Sequence, residues 1–223
     1  MFIKKIKIIL IFLFFYQSPL LSKDNILNDF TSHSISKYFS GIVAFENKNN
    51  SKALNYFNSS KILIDRHDPY LERLIISLVL EEKTNQAINI LKVKTKKNNS
   101  NFFEAYLLII LDSLKKNNLE LATELLSNIP QPLLEDRLKF IIFDTLKQYV
   151  RVFKDKKVSK SDQNFGNFSL INETFQRCYL SDKNTDSFFS NLINNKQADY
   201  SRYIYFYLTY LIDSGEIEKA KLI

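Results

Sequence analysis

One arrangement recurs along this 223-residue chain: an alanine followed three and four positions later by two bulky side chains. Ala53 precedes Tyr56 and Phe57, Ala87 precedes Ile90 and Leu91, and Ala122 precedes Leu125 and Leu126. The alanines thus recur at intervals of 34 and 35. Positions three and four apart share a helix face, so each set makes one small notch beside one bulky ridge. A small residue lets a neighbouring helix come close while the ridge fills the groove beside it. Ahead of each alanine lies a second amphipathic stretch that ends in polar residues: "SISKYFSGIVAFENKNN", "YLERLIISLVLEEKTN" and "NFFEAYLLIILDSLKKNN". The unit this predicts is an antiparallel helical hairpin repeating every ~34 residues. Three glycines and four prolines are too few turn residues for a β-rich chain. The expected fold class is therefore all-α.

Boundary chemistry supports the same division. Asp68 is suited to an N-cap and Pro69 to the first helical position, so a helix should begin there. Asn49, Asn50, Asn98, Asn99, Asn117 and Asn118 fall at expected helix ends, where their side chains can satisfy free backbone groups. Past Pro130, Leu134, Leu138, Ile141, Ile142, Leu146 and Val150 keep helical spacing over a stretch long for one arm of a hairpin. "KKVSKSDQNFGN" breaks it. The last stretch reads as a first helix, a turn at Gly215 and a second helix bearing Ala220, close to three periods after Ala122. About two poorly conforming units are expected in between. The final helix stops three residues after Ala220, and the chain is accordingly expected to be C-terminally incomplete.

These residues resemble the tetratricopeptide repeat family. The match is clearest from Ser34 to Asp65, with Gly41 as the small residue midway along the first helix, Ala53 opening the second, and Phe57 and Ser60 following. Units beginning near Asp68 and Phe103 keep the alanine. They place Ile75 and Ile110 where the family has a small residue, put Leu71 or Tyr106 at its frequent large aromatic, and lack its closing proline. The resemblance implies an α-solenoid of antiparallel hairpins, a superhelix with three units over 34–130 and degenerate ones over 131–223. It also implies ligand binding along a concave surface lined by the first helices. Carried over by position, that surface holds Tyr38, Ile42 and Phe45, then Glu72, Ile76 and Val79, then Leu107, Leu111 and Leu114. Arg202 and Tyr205 join the candidates separately, because tyrosine and arginine are favoured at binding hot spots.

The function expected is a non-catalytic exported scaffold whose groove binds a protein or peptide segment. A second reading is the superhelical accessory region of a larger periplasmic enzyme, such as a cell-wall lytic transglycosylase. A third is an RNA-binding helical repeat, since a related family reads one base per helical repeat.

Export is expected from the leader-like stretch 1–22: lysines at positions 4, 5 and 7, an apolar run from Ile8 to Tyr16, and a small residue at Ser22. The run is too short for a bilayer span, so a periplasmic or secreted location is expected, with an inner-membrane anchor as the alternative. Cleavage removes three of the lysines behind the formal charge of +7 and leaves +4, poor support for a nucleic-acid partner. The 25 lysines outnumber six arginines, the reverse of what bidentate phosphate recognition favours. Cys178 is the single cysteine, so no internal disulfide can form, and it reads as a small buried hydrophobe. His33 and His67 stand one repeat period apart, but zinc needs three or four converging ligands. "DRHD" has the order of a kinase catalytic loop scrambled, and no glycine-rich phosphate loop accompanies it. No metal, cofactor or catalytic site is expected.

Overall fold

The computed structural model describes residues 32–65, 67–95, 102–195, 199 and 201–223. The export segment 1–22, Asn98, Asn99 and Tyr200 lie outside the described residues. Among the described residues the chain is all-helical, with eleven α-helices and no strand. They are α1 (Ser32–Glu46), α2 (Asn50–Asn58), α3 (Asp68–Leu80), α4 (Thr84–Thr95), α5 (Phe103–Lys115) and α6 (Leu119–Ser127). Then follow α7 (Arg137–Asp155), α8 (Asn167–Tyr179), α9 (Thr185–Ile193), α10 (Ile204–Asp213) and α11 (Ile217–Lys221). Two compact units divide between Glu82 and Lys83.

In the first unit α2 packs on both α1 and α3. Its centre is Phe57, fully buried, with its ring 6.1 Å from Tyr38 and edge-on to Tyr70 at the same distance. A Cβ on Gly41 would sit 2.6 Å from Phe57 Cε1, so this helical position of α1 must be glycine for the ring to lie where it does. Tyr70 donates its hydroxyl to the Phe57 carbonyl at 2.5 Å, satisfying a phenol that burial would otherwise leave unpaired. The start of α3 departs by one residue from the expectation above. His67 holds the capping position without a side-chain cap bond, Asp68 is the first helical residue, and His67 Nε2 lies 2.9 Å from the Tyr38 hydroxyl. His67 is thus a half-buried packing residue against Tyr38.

A backbone device repeats through both units. Lys48, Glu82, Asn117, Ser181 and Gly215 all have left-handed backbone, with φ of 60°, 58°, 56°, 52° and 79°, and each lies two residues past the end of a helix. At Lys48 the amides of Lys48 and Asn49 bond back to Phe45 and Ala44, at 2.9 Å each, and the same pair of bonds recurs at Asn117, Ser181 and Gly215. This is the Schellman termination of a helix. Asn49 and Asn118 then cap the following helices, accepting from Lys52 N and Leu121 N at 3.2 and 3.0 Å. The turn residues are spaced by 34, 35, 64 and 34. Ala53, Ala87, Ala122 and Ala220 each lie five residues past one of them. In the fourth turn that place belongs to Asp186, one period before Ala220.

The gap of 64 is where the register breaks. The stretch expected to hold two poorly conforming units instead holds the 19-residue α7 and the single hairpin α8–α9. Helix α7 meets α8 through polar side chains. Gln176 Nε2 donates to Gln148 Oε1 at 3.1 Å, Asn172 Nδ2 donates to Thr145 Oγ1 at 3.2 Å, and Gln148 Nε2 donates to Asp144 Oδ2 at 2.7 Å. Gln148, Asn172 and Gln176 are buried, so these bonds satisfy groups that would be costly unpaired. On α7 the apolar spacing only partly marks the core: Val150 and Val152 are buried, whereas Leu138 is exposed.

Candidate functional site

Of the residues expected to line a groove, Tyr38 is buried and spends its hydroxyl on His67. Ile42 and Phe45 on α1, Glu72, Ile76 and Val79 on α3, and Leu107 and Leu114 on α5 are half-buried. Leu111 is exposed. Arg202, in a short 3-10 turn, and Tyr205, at the start of α10, are exposed, Tyr205 to 72 %. Tyr205 stacks edge-on against Phe206, and Phe206 in turn against Phe175.

A neighbouring face of α1 carries the more open apolar surface. Phe39 and Val43 are 59 % and 60 % exposed and line a cavity of about 570 Å³ with Ala44 and Tyr56, rimmed by Ser36, Ser40, Asn47, Asn49 and Lys52. These two residues lie nine and five positions before the left-handed Lys48. The residues five before the other turns are covered: Ser77 and Gln176 are fully buried, Tyr210 packs against Phe189, and the Asp112 side chain is 8 % exposed. Partners on other helices take part in the covering. Asp112 of α5 meets Lys92 of α4 at 2.6 Å, and Gln176 of α8 meets Gln148 of α7. Sequence reasoning passed over Phe39 and Val43, although a helix apolar on two faces signals a second contact surface.

Several charged groups of the second unit form ion pairs. Asp112 accepts from Lys116 and Lys92, and these hydrogen bonds hold its carboxyl below the usual carboxylate range. Arg177 bridges Glu173 and Asp182 at 2.6 and 2.9 Å. Asp186 accepts from Tyr207 at 2.7 Å and from Lys219, joining α9 to α10 and α11. Burial pushes the Asp186 carboxyl up, but the bonds from Lys219 and Tyr207 outweigh it and its pKa lies below the ordinary value; burial and Asp186 push Tyr207 up to about 12. A depressed carboxylate contributes stability above its unfolded pKa of about 3.9 and loses it as pH falls through the folded value. Wild type should therefore exceed Asp186→Asn in urea midpoint at pH 7 and converge on it in strong acid. A difference that does not change with pH would remove the ion pair as its source.

Cys178 is half-buried against the cluster of Phe189, Tyr207 and Leu211, and burial, with Asp213, pushes its thiol up, away from the reactive thiolate. Among the described residues no group of three or more His, Cys, Asp or Glu is placed to hold a metal ion, and no helix is long and apolar enough to cross a membrane.

Comparison with protein-family models, with curated proteins and with solved structures gives no match.

Proposed function

We propose that the chain is a non-catalytic helical-repeat scaffold, tetratricopeptide-like in its hairpins, that binds a protein or peptide segment. The observation that carries this reading is the open Phe39–Val43 face of α1, set against the covered residues five before each later turn. The recurrence of one turn geometry at intervals of 34 and 35 supports an α-solenoid built from one kind of hairpin. On this reading a helix of a partner takes, on α1, the place that α4 takes on α5. Its contact stripe is apolar at three- and four-residue spacing, because a charged stripe would be desolvated over Phe39 and Val43 without partners. The half-buried residues Ile42, Phe45, Ile76 and Val79 then support the helices from behind or border the contact.

A photo-reactive phenylalanine analogue at position 39 tests the reading in cells. Irradiation should yield an adduct heavier than the chain by a second polypeptide, and the same analogue at exposed Asn128 of the second unit should not. A cross-link at position 39 that adds no mass would show the face covered from within the chain and would remove it as a partner site. Export and a periplasmic location form part of the same proposal, and they rest on the leader-like residues 1–22.

A further inference from the structure

We propose a second binding site, in the second unit, for a small amphiphilic anion: an acidic group carrying an aliphatic or aromatic tail. It is the cavity of about 470 Å³ between α6 and α7, within the roughly 300–1,000 Å³ of ordinary small-molecule sites. The cavity lies where the repeat register breaks. Helix α6 has nine residues and α7 nineteen, so at about 1.5 Å per residue α7 runs on well past its neighbour. The cleft is lined by both helices and by Ile129 and Gln131 of the segment between them.

The lining divides into two chemistries. Leu126, Ile129 and Val150, each almost wholly withdrawn from solvent, form an apolar floor with Phe143 beside them. Lys147, Arg151 and Lys154 follow one stripe of α7, spaced four and three residues apart, and place three cations on the rim. Lys147 lies over the Phe143 ring, its ammonium 6.0 Å from the centroid, and so stands beside the floor. The lining contains a single acid, Asp155, so the local charge favours an anion. Unlike the paired lysines and arginine of the Asp112 and Glu173 clusters, Lys147, Arg151 and Lys154 make no salt bridge among the described residues. Cations without a carboxylate partner beside a low-dielectric floor attract an anion more strongly than the same charges on an open surface. Thr123 and Ser127 donate their hydroxyls within α6, to Leu119 O and Thr123 O, so their oxygens face the cavity as acceptors only. The donors available to a ligand acid group are therefore the three cations and the Gln131 amide. A neutral apolar molecule would leave these cations unanswered, and a small inorganic anion would leave the floor uncovered. A ligand with both parts answers both.

The experiment is an amide NMR titration of the full chain with octanoate below its micellar concentration, beside acetate and octyl glucoside as head-only and tail-only controls. Octanoate should bind saturably at one site, with shifts centred on α6 and α7 and an affinity at least about tenfold above either control. Arg151→Gln combined with Lys154→Gln, both at exposed positions, should weaken octanoate about tenfold or more. Ser127→Trp, an exposed rim position, should block the cavity without touching the core. Equal binding of octyl glucoside would reduce the site to an apolar hole, and equal binding of acetate to a charged surface. Octanoate binding unchanged in the double variant would overturn the proposal outright. Flotation with phosphatidylglycerol vesicles separates the remaining source of the same chemistry: vesicle binding without octanoate binding would assign the cations to a bilayer surface and refute a small-molecule cleft.

Discussion

Replacing Phe57 with alanine is expected to cost about 3–5 kcal/mol, the largest loss any single truncation in the first unit should produce. The ring is fully buried, contacts the aromatic rings of Tyr38 and Tyr70, and rests against the bare backbone of Gly41. Collapse into the space it leaves is hindered, because Gly41 has no side chain to extend. Gly41→Ala approaches the same contact from the other side. A helical alanine gains about 1 kcal/mol over glycine, but a Cβ at 2.6 Å from a fully buried ring flanked by Tyr38 and Tyr70 should cost about 1–3 kcal/mol. The net effect should be destabilising, and Phe57→Leu in the Gly41→Ala background should cost less than in wild type. Urea unfolding followed by far-ultraviolet circular dichroism and tyrosine fluorescence measures each of these chains. A loss below about 1 kcal/mol for Phe57→Ala, or strict additivity in the double variant, would deny that the two positions share one contact.

Periodicity made the helices legible, and the residues that failed to show in the sequence failed for identifiable reasons. The hairpin pattern at Ala53, Ala87 and Ala122 is an apolar pattern, and burying it is what the helices do. The left-handed turns were signalled by residue type only at Asn117 and Gly215. Lys48, Glu82 and Ser181 adopt the same backbone without the residue type that favours it, so nothing in their chemistry announces a turn. The α8–α9 hairpin did not stand out because the position five past its turn holds Asp186, tied to Tyr207 and Lys219, in place of an alanine. The α7–α8 contact escaped because Gln148, Asn172 and Gln176 are polar and fall outside the apolar periodicity, yet they bury by bonding one another and their neighbours. Of the candidate site, the sequence pattern picked out α1 but pointed to Tyr38, Ile42 and Phe45 on it, and not to the open face of Phe39 and Val43. Exposure depends on which helix stands beside Phe39 and Val43, and that is not encoded in those two residues.

The five positions that follow the turns at a common distance allow a graded test of the repeat itself. Ala53, Ala87 and Ala122 are fully buried, Ala220 is half-buried, and the Asp186 side chain is 38 % exposed. If the first three fill notches between closely approaching helices, leucine at each should force its neighbours apart at about 1–3 kcal/mol. For a chain of this length that corresponds to a melting temperature lower by roughly 2–4 °C per kcal/mol. Ala220→Leu, beside a less enclosed surface, should fall well below the other three. Asn128→Ser, in the exposed end of the third hairpin, should change little, because it alters neither a side-chain cap bond nor a buried contact. The ordering matters more than any single value. A chain whose alanines merely face a common core would relax unequally around each leucine, whereas hairpins built on one plan should give three similar large losses and one small one. Four equal small losses would dismiss the notch as the feature that the regular spacing of the alanines preserves.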